Sequence, residues 1–178
     1  GGIRLVWGEL QILANNDAAD PDNPQNATST CWKAINAADG ALVDPESKTT
    51  DSSAHVSGKT VKLDYVNNKW TYSTSITNAK DESRSCAFYQ VAADSSIGDA
   101  AKVMLRALAL LPDSDVTTDV YEGDYVWWNN GVAERCVDRG GYWCNGAIAG
   151  VFSLNGSNSR GNAYTSFGFR AAYIPEIR

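Results

Sequence analysis

A single histidine, His55, sits in a polar stretch and reads as a solvated loop residue. It leaves triad-type nucleophilic catalysis little to build on. No apolar run approaches the ~20 residues that a membrane-crossing helix needs. A basic surplus is lacking too: 15 Lys and Arg stand against 21 Asp and Glu, a net charge of -6. Such a balance argues against nucleic acid or an anionic membrane as partner, because both require a basic patch. The four cysteines, Cys31, Cys86, Cys136 and Cys144, follow no zinc spacing. Their even number is compatible with a disulfide framework that a chain of 178 residues does not require. No internal repeat or low-complexity tract is present. Gly1-Gly2 lacks the basic-then-apolar character of a signal peptide and reads as a cleavage scar or the start of an excised piece.

What is present suffices for one domain with a sizeable core: hydrophobic residues make up 43% of the chain and aromatics 10%. Ile3 to Leu13 alternates as a strand, with Ile3, Leu5 and Trp7 on one face. Asn15 to Ser29 is loop by composition, and Asp17, Asp20 and Asp22 within it lack the glycine and distal Glu of an EF-hand loop. Asn26-Ala27-Thr28 and Asn155-Gly156-Ser157 fit the glycosylation acceptor pattern, which arises often by chance. Thr30 to Ala38 reads as a short helix, with Trp32 and Ile35 three apart and Gly40 beyond. Asp44 to Gly58 is polar loop. Lys59 to Val66 and Lys69 to Ile76 alternate on either side of Asn67-Asn68, a pair suited to a two-residue hairpin turn. Ser85 to Ala92 reads as a strand.

Ser96 to Leu111 carries the helical stripe Ile97, Ala101, Met104, Leu105 and Leu108, a core-packing face. Ser96 and Asp99 suggest a capping box, and Pro112 marks the stop. Tyr125 to Trp128 is a short strand, Asn129-Asn130-Gly131 a turn, and Phe167 to Ile174 a closing strand. Between them, Arg139 to Arg170 contains no Asp, Glu or Lys. Glycine, asparagine and serine dominate this stretch as in a flexible linker, yet it also holds Trp143, Val151, Phe152, Leu154, Phe167 and Phe169. That mixture points to irregular backbone pinned by buried anchors, the construction of a binding loop on a rigid scaffold.

The motifs Arg139-Gly140-Gly141, Trp143, Gly146, Ala149-Gly150-Val151-Phe152 and Gly168-Phe169-Arg170 give this stretch a specific resemblance. Upstream, Gly123-Asp124-Tyr125, Asn129-Asn130-Gly131 and Glu134-Arg135 fit the same pattern. The last half of the chain resembles the variable proteins of diversity-generating retroelements, in which a reverse transcriptase scrambles the adenines of a template repeat and writes the product into the variable gene. The resemblance implies an α+β chain of C-type lectin fold: a mixed, mostly antiparallel sheet, two flanking helices, paired N- and C-terminal strands and long loops. It implies one domain over residues 1–178, with the hairpin of residues 59–76 inserted and a variable region at 139–170.

The resemblance puts the variable, ligand-binding positions at Tyr142, Cys144, Asn145, Ile148, Asn155, Ser157, Asn158, Asn162, Tyr164 and Ser166. All ten are reachable from Asn codons by adenine substitution, a set that excludes Lys, Glu, Gln, Met and Trp. Trp143, Gly146, Gly150, Val151, Phe152, Gly168, Phe169 and Arg170 are expected to hold the scaffold. The implied function is binding of a protein or glycan on a target surface by a molecule displayed on a virion tail or cell, with no catalytic residue, cofactor or metal. Cys144, at a randomised position, is expected to be unpaired. The alternative is a calcium-dependent sugar-binding domain without diversification. Such lectins use Glu-Pro-Asn or Gln-Pro-Asp with Trp-Asn-Asp, whereas this chain has only Trp128-Asn129-Asn130.

Overall fold

The computed structural model describes residues 2–14, 32–49, 57–113, 120–121, 123–141 and 144–162. Of the described residues, 42% are strand and 12% helix, arranged as a curled half-barrel sheet with one α-helix. The expectation of an α+β C-type lectin fold with two flanking helices is overturned by this content. Thr30 to Ala38, the first segment expected to be helical, forms strand over Trp32–Ile35 and then a bridge at Asn36 and a turn.

The chain opens with β1 (Ile3–Val6) and β2 (Glu9–Leu13), which pair antiparallel around Trp7-Gly8. Both turn residues have positive φ, 50° and 80°, the conformation of a two-residue hairpin turn whose twist matches the strands. The single strand expected over Ile3 to Leu13 is therefore a hairpin. Gly8 is required there, since a Cβ would lie 2.2 Å from Ile76 Cδ1. β1 has β2 on one edge and β10 (Arg135–Arg139) on the other. The terminal strand expected at Phe167 to Ile174 lies outside the described residues.

β3 (Trp32–Ile35) pairs with β2, and β4 (Leu42–Val43) pairs with β3. Trp32, Ala34 and Ile35 are all buried, so β3 is covered on both faces. A short doubly buried strand and a buried helical turn give the same apolar spacing, which is why Thr30 to Ala38 resembles a helix in sequence.

β5 (Ser57–Val66) and β6 (Lys69–Ser75) form the expected hairpin, with Asn67 and Asn68 at φ 51° and 60°. Val61, Leu63, Trp70 and Tyr72 line the core from this hairpin. β7 (Arg84–Ala87) gives way at Phe88 to a 3₁₀ turn, and β8 (Ala92–Ala93) follows, so the strand expected over Ser85 to Ala92 is interrupted. The last bond in register with β9 is Phe88 N–H to Asp124 O at 2.7 Å, and the chain turns away directly after it.

The helix α1 (Asp99–Ala107) buries Ala101 and Leu105 against the sheet, with Ile97 packed just before it. It is shorter than the sequence suggests, and its N-cap is Gly98, without a side-chain cap. Ser96 hydrogen-bonds Asp94 instead of capping the helix. Gly98 lets the helix start approach Ala38, whose carbonyl oxygen would lie 2.1 Å from a Cβ. At the other end, Arg139 donates to the Leu108 and Ala109 carbonyls and satisfies acceptors left open by the helix.

β9 (Tyr125–Trp128) and β11 (Leu154–Asn158) pair parallel and complete the order β7-β9-β11-β10-β1-β2-β5-β6-β8. The β7 edge is blunted by side chains from the far hairpin: Tyr65 Oη donates to Ser85 O and Trp70 Nε1 to Arg84 O, both at 3.0 Å. Asn130, fully buried in the expected turn after β9, donates to Leu63 O at 2.9 Å and accepts from Arg84 at 2.6 Å. These bonds draw the two sides of the curled sheet together.

Candidate ligand-binding face

Past Arg139, Gly140 and Gly141, the described part of the variable region continues as a loop, residues 144–153, anchored by Asp124, Ser153 and Phe152. Asp124, buried beneath it, accepts from Phe152 N at 3.0 Å and lies 3.3 Å from Ser153 Oγ. Ser153 Oγ is also 2.7 Å from Ile148 O and accepts from Gly150 N at 3.1 Å. Gly150 is obligatory, because a Cβ there would stand 1.9 Å from Asp124 Oδ1. Phe152 packs against Phe88 and Tyr121, with ring centroids 5.3 and 4.8 Å away. Around these anchors Cys144 is exposed, while Asn145 and Ile148 are half-buried.

The expected scaffold set divides. Gly150 and Phe152 anchor the loop, and Gly146 supplies a positive φ of 55° on an exposed turn. Val151 is 79% exposed and takes no part in the core. Ser153 and Asp124, absent from that set, do much of the holding; the Gly-Asp-Tyr motif was the only sequence signal for Asp124. Tyr142, Trp143, Tyr164, Ser166, Gly168, Phe169 and Arg170 lie outside the described residues.

β11 then carries the region across the sheet. Strand register aligns side chains in rows, and one row joins Asp138, Asn155, Trp127 and Ser85 across β10, β11, β9 and β7. The neighbouring row, Arg139, Leu154, Val126 and Cys86, belongs to the opposite side, where Leu154, Val126 and Cys86 are buried in the core. Asn155 and Trp127 therefore stand on the outer face. Gly156 points inward, where a Cβ would meet the Trp128 ring at 2.0 Å. An irregularity between Cys136 and Asp138 brings Asn158 opposite Cys136.

Asn155 Nδ2 donates to Asp138 Oδ2 at 3.2 Å, and Asn158 also hydrogen-bonds that carboxylate. Burial pushes the Asp138 carboxyl above the ordinary carboxylate range, partly offset by these two amides. Asp138 has no ion pair among the described residues. Trp127 and Tyr125 are half-buried beside one another, with centroids 5.8 Å apart. Ser157 Oγ meets Ser83 Oγ at 2.7 Å, and Asn162 donates to Asn158 Oδ1 at 3.2 Å. The candidate positions thus form a strip from the loop along β11 and not one pocket. The sequon at Asn155 lies in a half-buried strand.

The other half of the outer face is closed and charged. Glu9 is fully buried, and its carboxylate accepts from Glu46 N, Ser47 N, Gln11 Nε2 and Thr60 Oγ1 at 2.6–2.9 Å. Lys62, also fully buried, donates to Glu46 at 2.7 Å and Thr60 Oγ1 at 2.9 Å. Burial would raise the Glu46 carboxyl, but hydrogen bonds from Lys62, Lys59 and Thr60 bring it down to about 2. Arg4 forks onto Gln11, pairs with Glu134 at 2.6 Å and lies over the Trp32 ring at 4.0 Å. Glu134 in turn grips Arg160, the interior charge of the variable region. Burial raises the Glu134 carboxyl, but the two arginines outweigh it and lower it.

Sequence reasoning missed this network. Arg4, Glu9, Gln11, Thr60 and Lys62 alternate with apolar residues, a pattern that normally marks a solvated face. Cys86, Cys136 and Cys144 are free thiols, and Cys31 lies outside the described residues. The same holds for Asp17, Asp20, Asp22 and His55. Among the described residues, no group of three His, Cys, Asp or Glu is placed to hold a metal ion, and no helix is long and apolar enough to cross a membrane. No protein-family model matches the chain, and no curated protein sequence matches it.

Proposed function

We propose that the chain is a hypervariable ligand- or receptor-binding protein, diversified by adenine-directed retroelement mutagenesis and displayed on a virion tail or cell surface. The supporting observation is a division of labour between residues 144 and 156. Backbone hydrogen bonds to Asp124 and Ser153, the Phe152 ring cluster, and glycines packed against Asp124 and Trp128 fix the main chain. Cys144 and Ile148 contribute no ring or side-chain anchor to that set. Exposed substitutions usually change stability by ~0.5 kcal/mol or less, so the exposed Cys144 position accepts many residues without unfolding. The reading rests on these residues and on the sequence motifs, not on the lectin fold class.

Sequencing the gene's surroundings tests the proposal. The expected result is a nearby reverse transcriptase gene and a near-copy of the codons for Arg139 to Arg170, differing almost only at template adenines. Absence of a template, or mismatches spread evenly over all four bases, would overturn diversification.

A further inference from the structure

Two fixed groups on the outer face remain unaccounted for by the anchoring of the loop. Asp138 is a carboxylate without an ion pair among the described residues, in a sheet whose other half leaves neither Lys62 nor Arg4 without an acidic partner. Trp127 presents a half-buried ring, with Tyr125 alongside, and no described group accepts from its Nε1. The register places Asp138 and Trp127 in one row, separated by Asn155 alone. Two strand spacings set their backbones roughly 10 Å apart.

A carboxylate and an indole ring separated by that distance suit one kind of ligand group. A guanidinium or ammonium attracts a carboxylate by charge and also the negative face of an aromatic ring within ~6 Å of its centroid. A long basic side chain lying across Asn155 reaches both. The chain's net charge of -6 favours the same sign of partner during encounter. A neutral sugar can stack on the ring and donate hydroxyls to the carboxylate, but it leaves the charge of a desolvated anion uncompensated. Desolvation makes Asp138 costly in its ionised form, a cost that an incoming cation offsets.

We infer that the outer face of β7, β9, β11 and β10 binds an arginine or lysine side chain of a protein partner, held between Asp138 and Trp127. Asn155 at the centre, a candidate variable position, then sets the depth and fit of a site whose charge and ring stay constant. This rests on the reading of the strip as a ligand-binding surface but is independent of how the gene is diversified.

The test is a nitrogen-15 NMR titration of the intact chain at constant ionic strength with acetyl-arginine amide. Acetyl-citrulline amide serves as the uncharged isostere, and methyl mannoside as a neutral pyranose probe. The expected result is saturable shifts of the Trp127 indole signal and the Asp138 and Asn155 amides with the arginine probe. Citrulline should bind at least fivefold more weakly. Asp138→Asn should abolish that preference, and Asp99→Asn, at an exposed helix carboxylate, should leave it intact. Equal response to citrulline, persistence of the preference in Asp138→Asn, or a response to the pyranoside alone would overturn the inference. A missing template repeat with these shifts intact would defeat diversification alone.

Discussion

The outer face of the sheet has two halves of opposite character. Over β1, β2 and β5, buried charges are matched: Glu9 receives four hydrogen bonds, Lys62 reaches Glu46, and Arg4 reaches Glu134. Over β10, β11 and β9, Asp138 is held by two amides and the Trp127 indole stands half-open. A buried charge survives only with its partners in place, so the first half is committed to structure. The second half leaves interaction capacity unspent. Arg160 marks the seam, because Glu134 binds it together with Arg4 and so fastens the end of the variable strip to the closed half.

The largest effect that separates the halves is expected from their carboxylates. Glu9→Ala strips the acceptor from four donors, three of them buried, and should cost about 3–5 kcal/mol in urea unfolding. Asp138→Asn should be neutral or stabilising near neutral pH, since burial disfavours its ionised form. Equal losses for the two variants would erase the distinction.

Acid titration sharpens it further. Glu46 is depressed from 4.5 to about 2 in the fold, so its contribution is complete above pH 4.5 and lost as pH falls through about 2. The full shift corresponds to roughly 3 kcal/mol by linkage, and solvent screening of this partly exposed pair brings the expected loss to about 1 kcal/mol. Glu46→Gln should flatten this part of the stability profile. Asp138 has the opposite sign: its folded-state carboxyl is raised from 3.8, so its protonated form favours folding and that stability is lost as pH rises. Asp138→Asn should therefore remove a slope of the other direction in the same experiment.

Smaller differences are expected within the strip. Asn155→Ala removes a 3.2 Å hydrogen bond to Asp138 and should cost about 1 kcal/mol. Cys144→Ser, on the exposed loop, should stay within ~0.5 kcal/mol in thermal unfolding. A larger loss at Cys144 than at Asn155 would reverse the gradient from loop to strand.

The sequence discloses those parts of this fold whose signals are local. The β5–β6 hairpin is legible because alternation flanks two asparagines that tolerate positive φ, and Tyr125 to Trp128 because aromatic and β-branched residues abut Asn-Asn-Gly. The stripe of α1 shows, although Gly98 starts the helix later than Ser96 suggests. The β1–β2 turn is hidden because Trp7 takes a positive φ that its residue type does not announce. β3 is hidden because strand pairing decides between two readings of the same spacing. The fold class fails for a related reason: the resemblance covers the last half, while β1 to β7 come from the part before it. Within the site, Gly150 and Phe152 are visible as a motif. Val151 belongs to the same motif and faces solvent, and the Glu9 network is invisible because burial of a polar strand face depends on what covers it.

The most direct measurement of the central claim is a combinatorial library displayed on cells and sorted for protease resistance. One arm randomises Cys144, Asn145, Ile148, Asn155, Ser157, Asn158 and Asn162 with adenine-mutated Asn codons; the other randomises Asp124, Gly150, Phe152, Ser153 and Gly156. The account predicts that most members of the first arm remain resistant and that resistance in the second collapses towards the parental residues. Equal survival of the two arms, or collapse of the first, would contradict it.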